Sequence, residues 1–208
     1  MKKGFVILWI AIFLGGCEDN SYDYGLDRYY VEIVTAIEEN TFLLDNGETL
    51  YGVTGLKIKK DERILLHYTL LDEKTDGYDH TVRINGIGPV INGPLYTTSE
   101  EEIQYLVREP IRLQSIWLGS HFLNMQFYIN YHSKPHSVAF FVDRVAVNDD
   151  LVEIHFQHDS HEDPTGFPSH LYASFDLKEV FGEPQQNKQI RIFVNTSNYG
   201  EKTYDFVY

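Results

Sequence analysis

Apolar residues follow two regimes along this chain. The first is one block: Phe5 to Leu14 is an unbroken run of ten apolar residues behind Lys2 and Lys3, closed by Leu14-Gly15-Gly16-Cys17. A basic start, a short apolar core and small residues at the exit form the layout of a secretory signal peptide. The run falls well short of the roughly 18 residues that a membrane-spanning helix needs. The second regime begins at Arg28 and is strand-like throughout. Tyr29 to Ile37 is rich in β-branched and aromatic residues, and Thr41 to Leu44 meets Thr49 to Val53 across Asp45-Asn46-Gly47-Glu48, whose Asn-Gly is a strong hairpin signal. Ile64 to Leu71 follows Asp61-Glu62-Arg63, and Thr81 to Ile87 follows a polar break containing Asp76-Gly77. Val90-Ile91 lies between Pro89 and Asn92-Gly93-Pro94. Five short strands in about seventy residues suit a small Greek-key barrel, whose five-stranded form is the OB-fold.

One helix start interrupts the strands. Ser99 is placed to cap the free amides, Glu102 completes a capping box, and Glu100 and Glu101 suit the positive end of the helix dipole. Ile103, Leu106 and Val107 supply one apolar side before Pro110 stops the helix. Strands then resume as Ile111 to Trp117, Phe122 to Tyr131, Ser137 to Val147, Leu151 to His158, Leu171 to Phe175, Gln189 to Asn195 and Lys202 to Tyr208. Asn148-Asp149-Asp150 reads as a tight hairpin, and Asp176 to Phe181 as a helical turn ended by Gly182. The expected fold is all-β, a small five-stranded OB-like barrel followed by a seven-stranded antiparallel β-sandwich. The expected boundaries are a leader over 1–16, an acidic tether over 17–27, the barrel over 28–97, a connector with a short helix over 98–110 and the sandwich over 111–208.

Charge and cysteine content narrow the setting. The 208 residues carry a formal charge of −14, and loss of Lys2 and Lys3 with the leader leaves −16. Such a surface repels phosphate backbones and anionic headgroups, which excludes nucleic acid as a partner and leaves lipid attachment as the route to a membrane. Cys17 is the single cysteine, so the chain has no thiol for a disulfide, a zinc knuckle or catalysis once Cys17 is used. Its surroundings resemble a bacterial lipoprotein box, in which this cysteine is acylated and becomes the first residue of the mature protein. Several acyl chains, at about 0.8 kcal/mol per buried methylene, make such attachment effectively permanent. Glu18, Asp19, Asp23 and Asp27 in the tether resemble the export signal that sends lipoproteins to the outer face of the outer membrane.

Histidines are the main candidates for chemistry, since seven of nine fall at or beyond His121. His155, His158 and His161 are spaced by three, with Asp159, Glu162 and Asp163 interleaved. On a helix that spacing suits zinc. Here Val152, Ile154 and Phe156 alternate as strand core, so His158 continues the inward face and His155 points outward, which prevents the two from sharing an ion. A loop site of His158, His161, Glu162 and Asp163, with His170 nearby in sequence, would mix ligands for calcium with ligands for zinc or copper. The preferred reading is a solvated polar loop with His158 as a hydrogen-bonded structural residue, and no metal or other cofactor. No nucleophile elbow, HExxH helix, P-loop or dinucleotide fingerprint is present. The fifteen tyrosines lie mostly at strand positions, where cross-strand packing accounts for them ahead of a sugar platform.

Several stretches together resemble one family. The leader with Cys17, Asp61-Glu62-Arg63-Ile64-Leu65-Leu66-His67-Tyr68, Ile111-Arg112-Leu113-Gln114-Ser115-Ile116-Trp117-Leu118-Gly119, Leu123-Asn124-Met125-Gln126-Phe127, Lys134-Pro135-His136, Gln157-His158-Asp159 and Ser174-Phe175-Asp176-Leu177 look like the NigD-like lipoproteins of Bacteroidetes. The chain departs from that pattern at Asp159, where members of the family often carry an asparagine after the histidine. The resemblance implies an OB-like domain before a β-sandwich and a role linked to bacteriocin immunity, and it brings no catalytic residues. The resulting expectation is a non-enzymatic, lipid-anchored binding protein of the cell envelope, in the outer membrane and exposed at the cell surface. Its partner is expected to be a bacteriocin, another protein or a glycan, with a polysaccharide-binding accessory lipoprotein as the alternative.

Overall fold

A computed structural model describes residues 29–184 and 188–208. The leader, Cys17 and the tether lie outside the described residues.

The first unit is a closed barrel of five strands: β1 (Tyr29–Glu38), β2 (Thr41–Leu44), β3 (Thr49–Gly52), β4 (Arg63–Leu70) and β5 (His80–Gly88). Their order around the barrel is β1-β2-β3-β5-β4, closed by antiparallel pairing of β1 with β4 from Tyr29↔Thr69 to Thr35↔Arg63. Period-two alternation turns Val34, Ala36, Phe42, Leu44, Ile64, Leu66 and Tyr68 into the barrel, where they pack with Leu50 and Val82. The Asn46-Gly47 turn forms as expected, with Gly47 at φ 92, a conformation that any Cβ disfavours.

The second unit is one curled sheet of eight strands, built by β6 (Ile91–Thr98), β7 (Arg112–Gly119), β8 (Phe122–Tyr131), β9 (Ser137–Asp143), β10 (Leu151–Asp159), β11 (Phe167–Asp176), β12 (Gln189–Thr196) and β13 (Gly200–Val207). Their order is β13-β12-β10-β9-β6-β11-β8-β7. The all-β expectation holds, but the sheet has eight strands instead of seven and is not wholly antiparallel. β6 pairs in parallel with β11 through Ile91 to Pro94, then with β9 through Leu95 to Thr98, and β10 pairs in parallel with β12. Asn92-Gly93-Pro94 therefore marks the point where one strand passes between the two layers. A Cβ on Gly93 would lie 3.2 Å from the Phe175 ring, so the glycine lets β6 run beneath that ring. Because β6 belongs to this sheet, the barrel ends near Gly88, short of the expected boundary at residue 97.

The helix start at Ser99 is as expected: Ser99 Oγ accepts from Glu102 N, and the Glu102 carboxylate accepts from Ser99 N, over α1 (Glu100–Ile103). The segment it opens joins β6 to β7 within one sheet, so it is a crossover and not a link between domains. Its last residues wedge between strand ends, with Glu109 N donating to His158 O, Asn195 Nδ2 donating to Arg108 O and Ile111 N donating to Asn195 O. The strand expected to reach Val147 stops at Asp143, and a 3₁₀ turn over Ala146–Asn148 replaces the expected tight hairpin. α2 (Lys178–Phe181) ends at Gly182, φ 76, as expected. Leu123, Met125, Phe127, Phe140, Phe156, Phe175, Ile154 and Ile192 fill the space between the layers.

Candidate functional site

A single arginine fastens the barrel to the outer face of the sheet. Arg63 opens β4 with its side chain pointing away from the barrel core, and it is 5% exposed. Its Nη1 and Nη2 donate to Asp45 Oδ1 and Oδ2 at 2.6 and 3.1 Å, a bidentate pair set on the β2–β3 turn. Nη1 also donates to Thr35 Oγ1 at 3.1 Å within the barrel. Towards the sheet, Nε donates to Ser174 Oγ and Nη2 to Asn124 Oδ1, both at 3.0 Å. Asn124 Nδ2 donates in turn to Asp45 Oδ2 at 2.8 Å, and Ser174 Oγ donates to Asn124 Oδ1 at 2.8 Å. The guanidinium carbon stands 3.9 Å from the centroid of the Phe122 ring. All five guanidinium protons have acceptors, which offsets the desolvation of a buried charge and ties β2, β4, β8 and β11 into one unit. Arg63, Asn124 and Ser174 all lie in stretches that carry the family resemblance. The pairing itself is legible only in three dimensions.

Two clefts flank this lock. One, of about 920 Å³, lies between the Lys59-Lys60 loop and a wall of His121, Asp176 and Glu179. The other, of about 540 Å³, has Val31, Ile33 and Leu65 of the barrel facing Trp117, Leu118 and Tyr172 of the sheet. Beside Tyr172 the sheet face continues as a polar aromatic row. His170 stacks on Tyr128 at 4.4 Å and 8°, Gln126 Nε2 donates to Tyr172 Oη at 3.2 Å, and Arg112 covers the Tyr128 ring at 4.0 Å. Other tyrosines pack as expected of strand aromatics: Tyr30 stacks on Tyr68 and Tyr96 on Phe141.

The histidine-rich segment lies at the far end of β10. His158 points inward, 4% exposed, and His155 points to the other face, stacked on Phe193 at 4.8 Å. This is the alternation expected of a strand. His158 Nε2 meets His136 Nδ1 at 2.9 Å, and His136 Nε2 meets Asp163 Oδ2 at 3.3 Å. On its other side, His158 Nδ1 meets the Glu109 carbonyl at 3.3 Å. Asp163 accepts from the backbone N–H groups of His132, Ser133 and Lys134 at 2.7 to 3.2 Å. Burial opposes the Asp163 charge, but these donors win and hold its carboxyl well below the usual carboxylate range. Burial, followed by the neighbouring His136, pushes His158 below the usual imidazole value.

The four sequence candidates therefore do not converge. His158 and Asp163 contact opposite nitrogens of His136, a residue outside the candidate set. His161 turns away to Ser137 Oγ at 2.7 Å, and Glu162 accepts from Lys134 Nζ through its carbonyl. His170 is on the aromatic face of the sheet and takes no part. Among the described residues, no group of three or more His, Cys, Asp or Glu has the geometry to hold a metal ion.

A closed five-stranded barrel locked through the hydrogen bonds of a buried arginine to an eight-stranded curled sheet defines a two-domain all-β protein, and the two clefts that flank the arginine lie between the domains. The chain belongs to the NigD-like family: residues 30–90 match the NigD-like N-terminal OB domain and residues 94–208 the NigD-like C-terminal beta sandwich domain. Solved structures share the fold. A Bacteroides vulgatus protein of unknown function aligns with a TM-score of 0.74 and 21% identity, over 86% of this chain and 90% of its own. A NigD-like immunity protein from Bacteroides caccae aligns at 0.60 and 20%, over 86% and 96%. A candidate lipoprotein from Bacteroides fragilis aligns at 0.63 and 12%, over 86% and 98%. No curated protein matches the chain.

Proposed function

We propose that this chain is a lipid-anchored binding protein of the cell envelope that acts by recognition, not catalysis, and that recognition serves immunity to a bacteriocin. The observation that carries the reading is the match of both domains to the NigD-like family, supported by a Bacteroides caccae structural neighbour named as an immunity protein. The leader ending in Leu14-Gly15-Gly16-Cys17 supports anchoring through acyl chains on Cys17 in the outer membrane. The acidic tether supports exposure at the cell surface. A rigid pair of domains suits recognition, because recesses between locked domains lose little freedom when a partner binds. Gene deletion followed by challenge with bacteriocins of neighbouring strains tests it. The deletion strain is expected to gain sensitivity that the wild-type gene restores and a Cys17→Ser gene does not. Unchanged sensitivity would count against immunity, and restoration by Cys17→Ser against the anchor.

One observation favours a second reading, a polysaccharide-binding accessory lipoprotein: Trp117 and Tyr172 line the cleft between barrel and sheet, next to hydrogen-bonding Gln126 and His170. Aromatic rings edged by planar polar groups suit sugar rings. A glycan array probed with the mature chain carrying Cys17→Ser tests it. Binding lost on Trp117→Ala supports it, and a blank array removes it.

A further inference from the structure

The contacts from Asp163 through His136 and His158 to Glu109 form a chain whose two ends can only accept. Asp163 is a carboxylate whose side chain has no solvent exposure and which receives three backbone N–H groups, so it has no proton to give. The Glu109 end is a backbone carbonyl. Between these two acceptors lie three contacts and four ring nitrogens. Each contact needs one proton, so the chain needs three, whereas two neutral imidazoles carry only two. With two protons, one contact sets a lone pair against a lone pair in a shielded site, where an unmade hydrogen bond is most destabilising.

We infer that His136 and His158 form a built proton-binding site that holds one extra proton at neutral pH, as an imidazolium on His136 paired with Asp163 and hydrogen-bonded to a neutral His158. In this arrangement His136 donates from both nitrogens, and His158 accepts at Nε2 and donates from Nδ1 to the Glu109 carbonyl. The depression of His158 by burial and by His136 agrees with its neutral state. The surroundings favour a positive charge. Glu109 is on the crossover with its carboxylate on Ser160 N, and Asp159 ends β10 with its carboxylate on His161 N. Lys134 opposes them from the β9 entry as a single positive charge, its ammonium held on the carbonyls of His161 and Glu162. Arg108 on the crossover faces Glu201 instead, and from β8 the Tyr131 ring stands 5.8 Å from His136.

The consequence is a clasp made by a proton. It joins the β8–β9 turn, the end of β10, the loop at Asp163 and the crossover at Glu109, and adds a side-chain link beside the backbone pairing of β10 with β9 and the single bridge from Arg108 to His158. Loss of the proton at high pH leaves two for three contacts. A fourth proton at low pH sets two N–H groups against each other between the rings. The clasp is therefore complete only in the pH range where one extra proton is bound.

Long-range ¹⁵N–¹H spectra of ¹⁵N-histidine-labelled mature chain carrying Cys17→Ser decide the matter at pH 7, without any change at the site. The expected pattern is two protonated nitrogens on His136 and one, Nδ1, on His158. As pH rises, His136 should lose one proton in a single step, and the Glu109 and Ser160 amides should lose exchange protection in that step. A second arm uses Asp163→Asn, which is expected to leave His136 with one ring proton at pH 7. A His136 carrying one proton in the parent, amides that ignore its titration, or a doubly protonated His136 in Asp163→Asn would each overturn the inference. If the variant does not fold, the parent spectrum still decides.

Discussion

Replacing Arg63 by alanine removes the donor for five hydrogen bonds, to Thr35, Asp45, Asn124 and Ser174, and leaves the Asp45 carboxylate largely buried without its counter-charge. Breaking a buried ion pair from one side destabilises by about 3–5 kcal/mol, because the remaining charge loses both its partner and its water. With an unfolding entropy of about 2.1 cal/mol/K per residue over about 180 residues, that corresponds to a Tm lower by roughly 8–13 °C. The location adds a qualitative mark. Arg63 and Asp45 belong to the barrel and Asn124 and Ser174 to the sheet, so the variant should also uncouple the two, and one calorimetric transition should become two. Removing both charges, with Arg63→Met and Asp45→Leu together, should recover at least half the loss, since apolar residues of similar volume often replace a buried pair without penalty. Calorimetry and urea unfolding at pH 7, on the mature chain with Cys17→Ser, measure all three. A single variant that loses less than about 1 kcal/mol would refute the view that Arg63 and its partners hold the domains together, and a double variant no more stable than the single would refute the assignment of the loss to the unpaired Asp45 charge.

Three further outcomes are expected. A Cβ on Gly119 would lie 2.3 Å from Asp45 Oδ2, so Gly119→Ala should push Asp45 off Arg63 and destabilise by about 1–3 kcal/mol, as overpacking does; its effect should not add to that of Arg63→Ala in a double-mutant cycle. Ser99→Ala removes the acceptor for Glu102 N and should lower stability by about 1 kcal/mol in urea unfolding. Asp163 is held below its unfolded value of about 3.9, so its contribution is present above that value and is lost as pH falls towards the folded one. Acid titrations should therefore show the gap between wild type and Asp163→Asn closing below about pH 4, and a gap that widens with acid would contradict the sign.

Most strands could be placed from the sequence because one face is buried and the other is less so, as at Val34-Ala36 and Ile154-Phe156, whereas Ile64-Leu65-Leu66 is buried on both faces and shows as a short continuous apolar run. The Asn46-Gly47 turn, the Ser99 capping box and Gly182 were legible for the same local reason: each depends on atoms within a few residues. β6 was misplaced because Asn92-Gly93-Pro94 has turn chemistry, and only contacts with β11 and β9 keep it extended. The histidine segment was half legible. Alternation separated His155 from His158 correctly, but nothing local brings His136, 22 residues away, to 2.9 Å from His158.

The division follows the range of the forces involved. Sequence by itself determined the all-β class, the two-part organisation, the net charge of −14 and the presence of a leader-like segment ending in a lone cysteine, all set by composition and short-range pattern. Tertiary structure alone decided which sheet takes β6, that Arg63 spans from Asp45 to Asn124 and Ser174, and that two histidines share the space between two acceptors. Those outcomes rest on burial. A charge or imidazole taken out of water must find partners wherever the fold brings them, and separation along the chain does not say where that is.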